Sequence, residues 1–212
     1  EIVGLVPLEA MLAAGRFYLE AQGKTSAVPE PDLVEIARAS LGLDDVKPFA
    51  PHETIIDYRL ACREDGMRGA SLTGFADELS RSSPAPGGGS VAALVGALSG
   101  GLTSMVASLT HPGKDLDGDT RHRLQALGAQ AQRIKDSLLR AIDDDAGAFD
   151  AIGAARRLPK KTEEQQAERQ AAIVDATRHA IEVPMSVVER AAQAASLATE
   201  IAGIGLAAAA SD

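Results

Sequence analysis

Residues 83–110 read SPAPGGGSVAALVGALSGGLTSMVASLT, a Pro/Gly turn running into an uncharged, small-residue helix. Within it Ala92, Gly96, Gly100, Ser104 and Ser108 recur every fourth residue. That spacing lines small side chains along one helix face, where a neighbouring helix can approach closely. From Val91 to Thr110 there is no charge, and such a run is long enough to cross a bilayer. Its six hydroxyl side chains, from Ser90 to Thr110, and its glycines make it only mildly apolar, so it reads as a buried helix of a bundle. Composition agrees. Aromatics are 3% of the chain and tryptophan is absent, which disfavours a β-sandwich and favours an Ala-rich helical protein. The expected fold class is mainly α, an Ala/Gly-rich helical bundle preceded by a partial α/β tail.

Downstream, everything reads as helix. A long helix is predicted from Thr120 to Arg157, ended by Leu158-Pro159, because the residue before proline disfavours the α conformation. Thr162 and Gln165 have capping-box spacing for the next helix, which Pro184 is expected to break or kink before a further helix runs towards Glu200. Upstream, Phe75 and Leu79 share one face of a short helix, and Ser82–Gly89 is a loop. Ile2–Val6 reads as a short strand, Pro7 opens a helix to Glu20, and a second helix spans Asp32–Leu41 and stops at Gly42. Ile55–Tyr58 reads as a second strand. One or two strands make no sheet, so their backbone groups lack partners. Residues 1–62 therefore read as the tail of a larger α/β domain, 63–71 as a charged linker, and 72–212 as the helical domain. The strand begins at once and no initiating methionine is present, so an upstream portion is expected.

The net charge of −9, most of it in the first 66 residues, argues against nucleic acid and anionic membrane as partners. A single cysteine, Cys62, allows no internal disulfide, which fits a reducing, cytoplasmic compartment. His52, His111, His122 and His179 have no metal-ligand spacing, and no metal is expected. No phosphate loop or dinucleotide fingerprint is present.

Three groups of residues carry chemistry. Gly87, Gly88 and Gly89 let backbone amides approach a ligand, and Ser90 can cap the helix that follows; a tight turn between helices uses the same residues. Asp143-Asp144-Asp145 lies inside the long helix. The apolar stripe there runs Leu124, Leu127, Ala131, Ile134, Leu138, Ala141 or Ile142, Phe149 and Ile152, and Asp145 falls on it. Burial and two neighbouring aspartates are expected to raise its pKa, which suits acid/base work. Asp144, four residues after Arg140, is expected in an exposed pair. Finally, Arg156, Arg157, Lys160 and Lys161 gather at a helix C-terminus, where they complement the helix dipole or anchor the carboxylates of an acidic molecule.

Taken in order, Glu78-Leu79 through Pro84-Ala85-Pro86-Gly87-Gly88-Gly89-Ser90-Val91-Ala92-Ala93, then Asp143-Asp144-Asp145-Ala146-Gly147-Ala148-Phe149, then Arg157-Leu158-Pro159-Lys160, resemble the cyclodeaminase/cyclohydrolase family. Residues from Glu1-Ile2-Val3-Gly4-Leu5-Val6-Pro7 to Ile55-Ile56-Asp57-Tyr58 are similar to the end of a formiminotransferase domain. The fused order resembles formiminotransferase-cyclodeaminases. The resemblance implies a polyglutamylated tetrahydrofolate as the one-carbon carrier, closure of 5-formiminotetrahydrofolate to 5,10-methenyltetrahydrofolate with loss of ammonia, and a homodimer or higher homo-oligomer. It implies Asp145 as the acid/base group with Asp143 as second choice. Gly87 to Ser90, Lys160 and Arg157 are then expected on the folate. Gly205-Leu206 and Ser211-Asp212 resemble a family motif in which asparagine follows the glycine, and Leu206 departs from it. The chain is expected to stop short of the family's last helices and to lack the transferase's catalytic region. Two other readings fit the same residues: a methenyltetrahydrofolate cyclohydrolase, and a non-catalytic helical assembly module.

Overall fold

The computed structural model describes residues 4–45, 47–60, 66–113 and 116–209. Among them the regular elements are helices: α1 (Leu8–Ala21), α2 (Glu30–Ser40), α3 (Pro51–Thr54), α4 (Ile56–Leu60), α5 (Leu72–Leu79), α6 (Gly88–Thr110), α7 (Gly118–Arg157) and α8 (Glu163–Ile204). The expected mainly helical class is what the chain adopts. It forms two compact units. One holds residues 1–64, 102–132 and 198–212; the other holds 65–101 and 133–197.

In the first unit α1 packs on α2 around Met11, Leu12, Leu19, Leu33, Val34, Ala37 and Ile55. Gly15 makes the close crossing possible, because a Cβ there would collide with the Leu33 carbonyl. Two expected strands are corrected. Ile2 and Val3 lie outside the described residues, and Val6 forms only an isolated parallel bridge with Ile55. Ile55–Tyr58 is not a strand: Ile56 begins α4, and Asp57 Oδ2 accepts the Leu8 N–H at 2.7 Å, capping α1 from a distant part of the chain. Gly42, at φ +62°, ends α2 as expected. Ser104 and Ser108 of the small-residue stripe both donate to the Ala27 carbonyl at 3.2 Å.

In the second unit Gly96 faces Leu138 and Ala191, so the stripe does serve close helix packing. Ala92, at its start, is exposed instead. The helix boundaries hold well: Asp117 caps α7 by accepting the Thr120 N–H at 2.7 Å, which holds its carboxyl below the ordinary range. The capping box closes in both directions, Gln165 N–H to Thr162 Oγ1 at 3.2 Å and Thr162 N–H to Gln165 Oε1 at 3.4 Å. Pro184 does not break α8, which continues unbroken through it to Ile204. The apolar stripe of α7 is buried from Leu124 to Ile142, but Phe149 is 50% exposed; Ala148 and Ala155 continue the buried face instead. Asp144 is exposed, and it forms no pair with Arg140 among the described residues. Helix α6 has the length and apolarity of a membrane span, and half of its most apolar window is buried within the protein.

Candidate acid/base site at the start of α6

Helix α6 begins at Gly88, two residues earlier than expected, and its first intrahelical bond runs from Val91 N–H to Gly87 O at 3.1 Å. Ser90 is therefore not the cap. It sits in the first turn, where backbone N–H groups have no acceptor within the helix. Its N–H donates instead to Asp145 Oδ2 at 2.8 Å. The Ser90 hydroxyl lies 3.0 Å from the same carboxylate oxygen and 3.1 Å from the Ile142 carbonyl. Ser90 is fully buried. A carboxylate on α7 thus caps α6, with the helix dipole favouring its charge.

Gly89 is required by this seat. A Cβ there would collide with the Asp145 carboxyl, standing 2.5 Å from its carbon. Gly87 and Gly88 differ: nothing lies within 4 Å of a Cβ built on either, so their faces open on free space. Asp145 is half-buried, on the core-facing side of α7 between Ile142 and Ala148. It is hydrogen-bonded and helix-capping rather than stranded in an apolar pocket. The sequence placed it on the right face; its partners are polar.

Asp143 points elsewhere. It accepts the Arg68 backbone N–H at 3.2 Å and pairs with the Arg68 guanidinium at 3.2 Å. A Cβ on Gly66 would stand 2.5 Å from the Asp143 carboxyl. Arg68 was not among the expected residues. It lies in a short 3-10 turn, Met67–Gly69, within the segment read as a linker; residues 63–65 and Cys62 lie outside the described residues. Arg157 and Lys160 are exposed at the far end of α7, Arg157 about 18 Å along the axis from Asp145 at the usual helical rise. Neither forms an ion pair among the described residues. Leu206 is 46% exposed and its N–H donates to Thr110 Oγ1, while Ser211 and Asp212 lie outside the described residues.

The first unit contains a separate cleft of about 470 Å³ lined by Glu20, Lys24, His111, Arg121, His122 and Gln125. His111 is buried there, and burial, then the nearby Arg121 and His122, hold its imidazole below the usual histidine range.

The fold and this seat define a helical protein in which a carboxylate of one long helix caps the glycine-rich start of another. A family model described as formiminotransferase-cyclodeaminase matches residues 71–212, and one described as the formiminotransferase domain matches residues 1–61. This chain belongs to the formiminotransferase-cyclodeaminase family. The formimidoyltransferase-cyclodeaminase of Mus musculus is 37% identical over 213 residues, covering 97% of this chain and 38% of the relative. That of Sus scrofa is 35% identical over 197 residues, covering 91% of this chain and 36% of the relative. The methenyltetrahydrofolate cyclohydrolase of Methylorubrum extorquens is 37% identical over 131 residues, or 62% of each chain. The chain thus spans little more than a third of the length of its formimidoyltransferase-cyclodeaminase relatives.

Proposed function

We propose that this chain carries the cyclodeaminase step of folate one-carbon metabolism, within a protein that also transfers the formimino group during histidine degradation. The Asp145 seat is the observation that carries this reading. With Oδ2 held by Ser90, Oδ1 lies against Gly89 and accepts no hydrogen bond among the described residues, and we assign it the proton exchange with substrate. In the reaction, N10 of 5-formiminotetrahydrofolate attacks the carbon of the protonated formimino group; the C–N10 bond forms as the C=N π pair moves onto nitrogen, leaving an amino group. N10 then gives its proton to Asp145. The amino group takes that proton as its own C–N bond breaks, and ammonia leaves. One carboxyl group returns to its starting state, and 5,10-methenyltetrahydrofolate remains.

The open faces of Gly87 and Gly88 suit a flat heterocycle or its polar edge against the backbone. Lys160 and Arg157, exposed and without ion pairs among the described residues, suit the glutamate carboxylates. No metal enters the scheme. Residues 1–62 are assigned to the transferase domain, 63–71 to the linker and 72–212 to the cyclodeaminase domain. We place the protein in the cytoplasm, as a homodimer or larger homo-oligomer without nucleic-acid or membrane partners. Val95, Leu98, Leu102, Met105 and Leu109 form an exposed apolar series on α6 that a second copy would cover.

The cyclohydrolase relative supports a second reading, in which the same domain opens 5,10-methenyltetrahydrofolate with water. The transferase-like residues 1–61 favour cyclodeamination. Incubation with 5-formiminotetrahydrofolate decides between them. Ammonia release with stoichiometric appearance of the methenyl product is expected. Hydrolysis of methenyltetrahydrofolate without any ammonia release from the formimino compound would overturn the assignment.

A further inference from the structure

The Ser90 hydroxyl has one proton and two acceptors within reach. Asp145 Oδ2 is 3.0 Å away and the Ile142 carbonyl is 3.1 Å away, and Ser90 is fully buried. A hydroxyl donates to one of them at a time. Water cannot supply the other, so the choice is made within the protein. The Ser90 backbone N–H holds Oδ2 in either case, at 2.8 Å.

We propose that Ser90 is a positioning residue whose hydroxyl rotates with the protonation state of Asp145, donating to Oδ2 when the carboxylate is ionised and to the Ile142 carbonyl when Oδ1 carries a proton. The physical reason is acceptor strength. An ionised carboxylate is a far better acceptor than a backbone carbonyl already engaged in its helix. Once a proton sits on Oδ1, Oδ2 becomes an ordinary carbonyl oxygen that already has the Ser90 N–H. The Ile142 carbonyl still has a second lone pair. Rotation then leaves no buried group unpaired in either state. No proton passes through Ser90: the carboxyl gains or loses one at Oδ1, and the serine proton only changes partner.

The surroundings favour a response specific to Asp145. Between Gly87 and Thr110 there is no titratable side chain, so α6 offers none to the carboxyl. On α7 the neighbouring Asp143 is paired with Arg68, itself on the 67–69 turn, and Asp144 is exposed. This inference rests on the reading of Asp145 as the proton-exchanging group, but its test reads spectra rather than turnover. The two can therefore fail separately.

The test places a carbon-13 label in the Ile142 carbonyl of the otherwise unchanged protein and follows its infrared band and the Asp145 carboxyl band against pH. The band of Ile142 is expected to move to lower frequency as Asp145 is protonated, with the same midpoint. In Ser90→Ala the Ile142 band stays still. Ser90→Thr, which keeps the hydroxyl, restores its movement. A wild-type Ile142 band that is flat through the carboxyl titration overturns the proposal, and this readout needs no variant to fold. So does a band that still moves in Ser90→Ala.

Discussion

Asp143 and Asp145 stand two residues apart on α7, each seated where a glycine leaves room, and they are held differently. Asp143 lies against Gly66 and is matched by the Arg68 guanidinium and backbone N–H. Asp145 lies against Gly89 and is held through one oxygen by the Ser90 N–H and hydroxyl, with no cation paired to it among the described residues. Asp143 thus shares its charge with a cation, whereas Asp145 is held by neutral donors alone. The first arrangement ties the 66–70 segment to α7. The second ties the start of α6 to α7 through Oδ2 and leaves Oδ1 without a hydrogen bond among the described residues. Two identical side chains in one acidic run thus acquire separate roles from what faces them.

The glycines give the sharpest contrast. Gly89→Ala must push the Asp145 carboxyl from its seat; stability falls by about 1–3 kcal/mol and turnover by about a hundredfold, read by chemical denaturation and ammonia release. Gly66→Ala should cost similar stability yet leave most of the turnover. Equal losses of activity would erase the distinction between the seats. Next, Asp143→Asn breaks the pair with Arg68. Both partners are partly exposed, at 48% and 30%, so the stability loss is at most about 1 kcal/mol by denaturant titration. Lys160→Ala, beyond the end of α7, should raise KM for polyglutamylated folate by about two- to fivefold and leave kcat unchanged.

A smaller effect comes from the first unit. His111 is held below its ordinary value of 6.5, so the unfolded chain takes up a proton before the folded one does. Stability is then fully present above pH 6.5 and is lost as pH falls below it. His111→Gln should flatten that slope in denaturation curves recorded from pH 7.5 to 5.5. An unchanged slope would mean the imidazole is not the group responsible.

Much of this was legible in the sequence because helices repeat. Leu124 to Ile142 follow a 3.6-residue period, and the same period set Asp145 on the inner face. Local caps were legible too, since Thr162 and Gln165 meet three residues apart. Non-local partners were not. Asp57 caps α1 across 49 residues, from a helix, Ile56–Leu60, whose β-branched start reads as strand. Arg68 reaches Asp143 across 75 residues, from a segment whose composition reads as a linker. Ser90 looked like a cap because serine favours that position, but the flexible glycines before it let α6 start earlier. The cap then comes from Asp145, and only the fold brings the two together.

Single-turnover ammonia release by Asp145→Asn, measured beside folate binding by the same protein, tests the central claim most directly. An asparagine can still accept from Ser90 but cannot carry a proton between N10 and the departing nitrogen. The rate should fall by about 10²–10⁴-fold while folate binds as before. Turnover at the wild-type rate would show that the proton travels by another group.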